Sequence, residues 1–140
     1  MWRIAKGLYL GDVRDALDRD LLLGWGITHV LNCAREVPCK FRSDFRYCHL
    51  RLQDPDEAFQ GEIERFCRFI RQGRRSGAVL VHCAAGLSRS AAAITAYLCK
   101  RGKTLPEALD VLRRRVGESE REFIEPDPSF LAQIELYFED

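Results

Sequence analysis

The sequence contains no long apolar run and no strong excess of charge of either sign. None of its apolar stretches approaches the roughly 20 residues that a membrane-spanning helix requires. The 22 Lys and Arg residues are nearly balanced by 21 Asp and Glu residues, which gives a formal net charge of +1. This balance argues against general binding to nucleic acids or membrane surfaces, although a local basic patch is compatible with it. The start, Met1-Trp2-Arg3, also lacks a secretory-signal pattern, so we expect a cytoplasmic protein that, in a eukaryote, could also enter the nucleus.

The six cysteines lack the CxxC spacing that is typical of zinc sites and redox motifs. Several lie inside apolar stretches, where cysteine behaves as a small hydrophobic residue. An even number of cysteines is compatible with three disulfides, but the lack of a secretory signal favours a reducing compartment. We therefore predict neither structural disulfides nor a metal site.

Composition and spacing predict one α/β domain that covers residues 1–140. Hydrophobic residues make up 46% of the chain and charged residues 31%, as in globular proteins. The apolar patterns predict strands at residues 8–10, 29–34, 45–52 and 78–81, and helices near residues 12–23, 59–73, 88–100, 105–115 and 128–138. Because strands and helices alternate, we predict a central, mostly parallel and twisted sheet of about four to five strands flanked by helices.

Polar residues and cysteines follow several of the predicted strands. In sheets of this class, ligands bind beyond the carboxyl ends of the strands. Asn32, Cys33 and Asp54 lie at such strand ends, as does the segment that begins at Cys83. We therefore expect these residues, which are far apart in the sequence, to share one edge of the sheet.

Residues 82–90, with the sequence HCAAGLSRS, join the last predicted strand to a predicted helix through a tight loop. Backbone N–H groups in such a loop can converge on one anion, and the N-terminus of the helix adds positive potential. The glycine permits a backbone angle that other residues resist, and the two alanines allow the loop to close tightly. We predict a phosphate-binding loop formed by Ala84, Ala85, Gly86, Leu87, Ser88 and Arg89.

Cys83 and Arg89 are the candidate reactive residues of this loop. The cradle of amide groups would stabilise the thiolate of Cys83 at the place where a phosphorus atom would lie. Arg89 comes six residues later, in the first helical turn, where its planar guanidinium can hold two phosphate oxygens. Those oxygens carry charge in the transition state of phosphoryl transfer, so the contact can act there as well as in binding. A Walker-type nucleotide loop is excluded, because the Gly-Lys-Ser/Thr end is missing.

Three polar residues of the same segment are candidates for supporting roles. His82 precedes Cys83 on the strand and so points to the opposite face, which favours a structural imidazole bonded to the backbone over a base. Ser88 and Ser90 are candidate caps of the helix. Ser90 is also placed to donate a hydrogen bond to the sulfur of Cys83 when that sulfur is the leaving group.

The segment HCAAGLSRS matches the HCxxGxxR(S/T) signature of cysteine-dependent phosphatases. With GITHVLNCA, the Asp54 loop, VLVHCAAGLSRSAAAITAYL and PSFLAQIELY, the chain resembles the small atypical dual-specificity phosphatases from about Ile4 to Phe138. The resemblance implies that Cys83 forms a phosphocysteine, that an aspartic acid protonates the leaving oxygen, and that this residue then helps water to hydrolyse the intermediate. It implies no metal or organic cofactor. It also places the acid in a loop after a strand; Asp54, 29 residues before Cys83, fits that place, and Asp56 is the rival.

The resemblance also implies roles for three residues outside the loop. In some relatives a cysteine in the position of Cys33 forms a reversible disulfide with the nucleophile, and plain packing is the alternative. Asn32 is a candidate supporting residue at the same strand end. An arginine after the fourth predicted helix helps some relatives to bind a second phosphate or an acidic flank. Arg121 is the best match, although the segment of residues 117–125 is longer here than in the family.

The neutral side chains of Ala84, Ala85 and Leu87 favour phosphoproteins as substrates. Phosphoinositide phosphatases of related type place lysines within this loop, and the same lack of cations argues against RNA 5′-phosphates. We therefore expect hydrolysis of phosphotyrosine, phosphoserine and phosphothreonine in proteins, with no nucleic acid or membrane partner. The oligomeric state stays open, and a monomer is compatible with the sequence. The alternatives are the same chemistry on phosphoinositides or RNA 5′-phosphates, or a phosphopeptide-binding module without turnover.

Overall fold

A five-stranded sheet forms the centre of the fold. The computed structural model describes residues 1–84, 87–117 and 124–139. The strand order is β1-β2-β5-β3-β4; β1 is antiparallel to β2, whereas the other neighbouring pairs are parallel. This arrangement confirms the predicted α/β fold class with a mostly parallel sheet. The strands are β1 (Trp2–Ala5), β2 (Leu8–Gly11), β3 (Ile27–Ala34), β4 (Arg46–Leu52) and β5 (Ala78–His82).

Helices cover both faces of the sheet. In the part of the chain that the structure describes, none of them has the length and apolar character needed to cross a bilayer. They are α1 (Val13–Ala16), α2 (Arg19–Gly24), α3 (Phe59–Ser76), α4 (Ser88–Lys100), α5 (Leu105–Arg115) and α6 (Pro128–Tyr137).

The single helix predicted near residues 12–23 is wrong, because this segment forms two short helices. Asp12 does cap α1, as its side chain accepts a hydrogen bond from the backbone N–H of Asp15. The chain then leaves the helical conformation, and Asp18 accepts a hydrogen bond from the backbone N–H of Leu21. Aspartate is a strong N-cap, so Asp18 starts α2 as a separate helix.

β5 and α4 hold the candidate loop at the carboxyl edge of the sheet. β5 is buried along all five of its residues, because β2 and β3 pair with it on either side and core side chains cover both faces. α4 is buried along residues 89–98, and three consecutive alanines in its first half let it pack closely against its neighbours. The two ends of the loop are therefore fixed by elements that the core surrounds.

Candidate active site

Cys83 lies directly after β5, in contact with the first turn of α4. The residue is 1% exposed, and its Sγ is 3.2 Å from Oγ of Ser90, which is itself fully buried. The thiol and the hydroxyl are thus within hydrogen-bond distance, whereas donation from Ser90 to a leaving sulfur stays a prediction.

Arg89 is held at the same edge of the sheet by three hydrogen bonds. Nη1 and Nη2 donate to the two carboxylate oxygens of Glu36 over 2.7 and 2.8 Å, and Nη1 also donates to the backbone oxygen of Leu52 over 2.8 Å. Nε is buried and has no hydrogen-bond partner among the residues that the structure describes. A guanidinium carries five N–H groups, so the Nε donor and one Nη2 donor are left, and these two form the side fork that matches two oxygens of one anion.

Glu36 was not among the residues selected from the sequence. Its hydrogen bonds to Arg89 lower the pKa of the Glu36 carboxyl to about 2, and the pKa of Arg89 rises in turn. The side chain of Glu36 is 56% exposed, whereas that of Arg89 is 5% exposed, so the carboxylate closes the outer side of the guanidinium. The sequence did contain one signal for Glu36, because it is an acidic residue two positions after β3, which ends at the carboxyl edge of the sheet.

Asn32 supports the segment that carries Glu36. Its Oδ1 accepts a hydrogen bond from the backbone N–H of Ala34 over 2.9 Å, and its Nδ2 donates to the backbone oxygen of Val37 over 2.7 Å. The side chain is fully buried, and both of its polar ends are satisfied by the turn after β3. Asn32 therefore fixes the backbone on both sides of Glu36.

The two aspartates of the loop after β4 have different partners. Oδ1 of Asp54 accepts a hydrogen bond from Oγ of Ser88, at the start of α4, over 2.9 Å. Asp56 instead accepts hydrogen bonds from the backbone N–H groups of Gln53 and Ala58, each over 2.9 Å. Asp54 is thus joined to the phosphate-binding segment, whereas both oxygens of Asp56 hold the loop itself.

Gln133 of α6 is a second residue that the sequence did not indicate. Its Nε2 donates to the backbone oxygen of Asp56 over 2.9 Å, and its Oε1 accepts from the backbone N–H of Gln60 over 2.7 Å. The partners of Gln133 are more than 70 residues away in the sequence, so the sequence pattern of α6 alone does not identify them. Through these two hydrogen bonds, Gln133 stabilises the loop that contains Asp54 and Asp56.

The interpretation of Ser88 and Ser90 as helix caps is wrong. Their hydroxyls bond to Asp54 and to Cys83, and α4 begins at its N-cap Leu87 without a side-chain cap among the described residues. The first backbone N–H groups of a helix have no acceptor within the helix and can bind one from outside it. The first turn of α4 thereby keeps its N–H groups and its positive potential for an anion.

His82 has the surroundings of a structural imidazole. It is 1% exposed, its Nδ1 lies 3.1 Å from the backbone oxygen of Cys83, and burial lowers its pKa to about 4. The ring is therefore neutral near pH 7. The contact with the backbone is compatible with a structural imidazole, and the supporting role of His82 stays a prediction.

Cys33 is buried at the end of β3, Cys83 is buried directly after β5, and neither forms a disulfide within the described residues. Burial is the main cause that raises the pKa of Cys33, and the neighbouring charge of Cys83 adds to it. The reversible disulfide between the two stays a prediction. Ala85, Gly86 and Arg121 lie outside the described residues, so the glycine in the loop and the steering arginine stay predictions as well.

A cavity of about 420 Å³ opens beside Arg89 at the carboxyl edge. Its volume is in the range of small-molecule sites, and two arginines and two carboxylates line it. The lining residues are Arg35, Glu36, Gln53, Asp54 and Arg89.

The sequence profile "Dual specificity phosphatase, catalytic domain" matches residues 8–140. The structure of human DUSP28 is 32% identical, with a TM-score of 0.85 over 98% of this chain and 94% of that chain. Human tyrosine phosphatase-like serine/threonine/tyrosine-interacting protein is 30% identical, with the same TM-score over 98% of this chain and 94% of that chain.

Several curated relatives are similar over nearly all of this chain but are much longer, whereas dual specificity protein phosphatase 1B of Arabidopsis thaliana is 34% identical over 96% of this chain and 79% of its own length. MAP kinase phosphatase with leucine-rich repeats protein 3 of Dictyostelium discoideum is 34% identical over 96% of this chain and 15% of its own length. Human protein phosphatase Slingshot homolog 3 is 38% identical over 96% of this chain and 20% of its own length. The chain spans between 15% and 33% of the first curated relatives that it matches.

Proposed function

Because this chain belongs to the dual specificity phosphatase catalytic-domain family, we propose that it hydrolyses phosphate monoesters of tyrosine, serine and threonine in proteins. One observation carries the proposal: Nε of Arg89 is a buried donor without a partner among the described residues, one residue before Ser90, whose Oγ lies 3.2 Å from Sγ of Cys83. A buried donor without an acceptor is destabilising by about 1–3 kcal/mol. An oxygen of a phosphate ester supplies the acceptor and removes that cost.

The reaction follows in two steps from the groups at this edge. In the first step, Sγ of Cys83 attacks phosphorus, the bond from phosphorus to the ester oxygen breaks, and Asp54 gives its proton to the departing oxygen. In the second step, water attacks the phosphocysteine, Asp54 takes a proton from that water, and the sulfur leaves as a thiolate. Ser90, 3.2 Å from Sγ, donates a hydrogen bond to the sulfur as its negative charge returns.

Arg89 stabilises the charge on the transferring phosphoryl group, and Glu36 is its positioning residue. Glu36 and the backbone oxygen of Leu52 hold the guanidinium before a substrate arrives, so less conformational freedom is lost on binding. They use the end of the guanidinium and leave its side fork for phosphate oxygens. The arrangement therefore favours tight binding of a group with two or more equivalent oxygens.

We expect Asp54→Ala to lower kcat for phosphotyrosine substrates by about 10²-fold or more, because the leaving oxygen loses its proton donor. The loss should shrink for p-nitrophenyl phosphate, whose leaving group needs a proton less. Asp56→Ala is the matched control: it removes two hydrogen bonds within the loop and should lower thermal stability while changing kcat by less than about tenfold. Steady-state kinetics on both substrates decide between the two residues, and a larger loss of kcat for Asp56→Ala would reverse the assignment.

The substrate class is tested on a panel of phosphorylated compounds. We expect kcat/KM for phosphotyrosine, phosphoserine and phosphothreonine peptides to exceed that for phosphoinositides and RNA 5′-phosphates by about tenfold or more. A factor of ten corresponds to about 1.4 kcal/mol, roughly the contribution of one ion pair that the loop does not offer to the more anionic substrates. The reason is that the side chains of Ala84, Ala85 and Leu87 offer no cation to a highly anionic group. Phosphate release measured under one buffer condition makes the comparison, and equal or faster turnover of the lipid or the RNA would contradict the proposal.

A further inference from the structure

A cavity of about 600 Å³ lies between the middle of α3 and the C-terminal end of α4, away from the carboxyl edge of the sheet. A second depression of about 310 Å³ adjoins it and shares Arg71, Tyr97 and Arg101. We call the two depressions together the basic groove. Its seven cationic residues are Lys6, Arg68, Arg71, Arg74, Arg75, Lys100 and Arg101.

The basic groove concentrates positive charge on a chain that is nearly neutral. It contains seven of the 22 Lys and Arg residues, although the net charge of the whole chain is only +1. The acidic residue in its lining, Glu64, is already bonded to Lys100 over 3.2 Å and to the hydroxyl of Tyr137. Within the described residues, neither Arg71 nor Arg101 has a side-chain hydrogen bond or ion pair, so an anion placed between them would relieve their repulsion.

Part of the groove is rigid before any partner binds. Nε of Arg74 donates to the backbone oxygen of Lys6 over 2.8 Å, and its Nη1 donates to the hydroxyl of Tyr97 over 3.0 Å. The guanidinium also lies over the ring of Tyr97, 5.8 Å from its centroid. A cation that is already ordered loses little freedom when it binds, which strengthens the attraction for an acidic partner.

The chemistry of the groove fits an acidic protein segment better than other polyanions. Single-stranded nucleic acids bind through aromatic rings on which bases stack, but Tyr97 is 2% exposed and Arg74 covers its ring. A bilayer presents a flat surface, whereas the basic groove is a concave depression between two helices, so the two shapes do not match. Carboxylate side chains of an extended segment can enter it and reach several arginines at once.

The position of the groove sets its distance from the phosphorylated residue. α4 begins at the carboxyl edge of the sheet and runs away from it. Because each helical residue advances about 1.5 Å, Arg89 and Arg101 are separated by about 18 Å along the helix axis. An extended chain advances about 3.3 Å per residue, so about six residues span this distance. We propose that the basic groove docks an acidic segment of a protein substrate at least about six residues away from the phosphorylated side chain, an inference that rests on the proposed function.

Binding is measured first without catalysis. The probe is a fluorescein-labelled, unphosphorylated peptide with about six consecutive glutamates, long enough to cover the groove. In fluorescence anisotropy we expect Arg71→Glu/Arg101→Glu to weaken its Kd by about tenfold or more, and added salt to weaken wild-type binding. Equal affinity of wild type and variant would overturn the inference. Tighter, equally Arg71- and Arg101-dependent binding of single-stranded RNA or of anionic vesicles would overturn the choice of a protein segment.

Two further variants control this measurement. Lys40→Glu/Arg46→Glu makes the same change of charge at exposed residues outside the groove, and it should change the Kd of the peptide by less than about twofold. Arg71→Gln/Arg101→Gln avoids adding an acidic residue at the C-terminal end of α4, where the helix dipole disfavours it, and should still weaken binding. Circular dichroism checks that each variant is folded, and a loss of binding as large in the control as in Arg71→Glu/Arg101→Glu would contradict a local groove.

Turnover then tests the spacing. Two phosphotyrosine peptides carry the same acidic segment, one about two residues and the other about eight residues from the phosphotyrosine. For the wild type we expect the longer spacing to lower KM about fivefold with little change in kcat, and the Arg71→Glu/Arg101→Glu variant to remove that difference. Equal KM values with normal turnover would refute docking and leave the proposed function intact. If neither peptide were hydrolysed, the proposed function would fail, and the anisotropy result would still decide the groove.

Discussion

Replacement of Cys83 by serine is expected to lower kcat for p-nitrophenyl phosphate by at least about 10⁴-fold. The thiolate is the attacking group, and a serine hydroxyl stays protonated at neutral pH. Ser90, which lies within hydrogen-bond distance of Sγ, is itself a hydroxyl and cannot deprotonate the replacement. Steady-state release of p-nitrophenol over a range of protein concentrations measures the loss.

Cys99→Ser is the matched control for this substitution. Cys99 is a partly buried free cysteine at the far end of α4, and its replacement should leave kcat within about twofold of wild type. Residual turnover by Cys83→Ser above a hundredth of the wild-type rate would contradict the nucleophile assignment. A wild-type protein that binds phosphotyrosine peptides but releases no phosphate from any substrate would instead support the phosphopeptide-binding alternative.

Arg89→Lys is expected to lower kcat by about 10³-fold, although it keeps the positive charge. A lysine ammonium cannot bond at once to both oxygens of Glu36, to the backbone oxygen of Leu52 and to two phosphate oxygens. The planar fork is therefore lost even where the charge remains. Pre-steady-state kinetics with p-nitrophenyl phosphate separates this loss in the chemical step from any change in binding, and a kcat within tenfold of wild type would contradict the role of the fork.

Glu36→Gln tests whether Glu36 acts by positioning Arg89, and its effect on kcat is compared with that of Arg89→Lys. It keeps one acceptor for Arg89 but removes the negative charge, so we expect the loss of kcat to be about tenfold, well below that of Arg89→Lys. In the double variant the two losses should not multiply, because Glu36 acts through Arg89. Multiplicative losses would mean that Glu36 affects the reaction by another route.

The parts of the fold that depend on nearby residues could be predicted from the sequence. The buried strand before Cys83 and the helix from Ser88 follow from two apolar runs within one short segment. The strand β1 was missed because it has four residues of which only Ile4 is buried, too few to show an alternating pattern. The division of α1 from α2 depends on Asp18 as a cap, and an aspartate within a helical pattern is equally compatible with an exposed position.

The parts of the site that depend on packing could not be predicted. The spacing between Arg89 and Cys83 indicated a phosphate contact, but nothing local to the sequence shows that Glu36, 53 residues before Arg89, holds the guanidinium. Ser88 appeared to be a cap because hydroxyl residues favour helix starts, whereas the fold brings Asp54 within its reach. The basic groove was also hidden, because its cations come from α3, from the end of α4 and from Lys6 and are balanced by acidic residues elsewhere.

The central claim is that the sulfur of Cys83 carries the phosphoryl group between the substrate and water. Rapid acid quenching of wild-type protein during turnover of a phosphotyrosine peptide, followed by proteolysis and mass spectrometry, tests it most directly. We predict the added mass of one phosphoryl group on the peptide that contains Cys83, and none on the same peptide from Cys83→Ser. Rapid turnover with no phosphorylated Cys83 peptide, or with the phosphoryl group on another residue, would contradict the account.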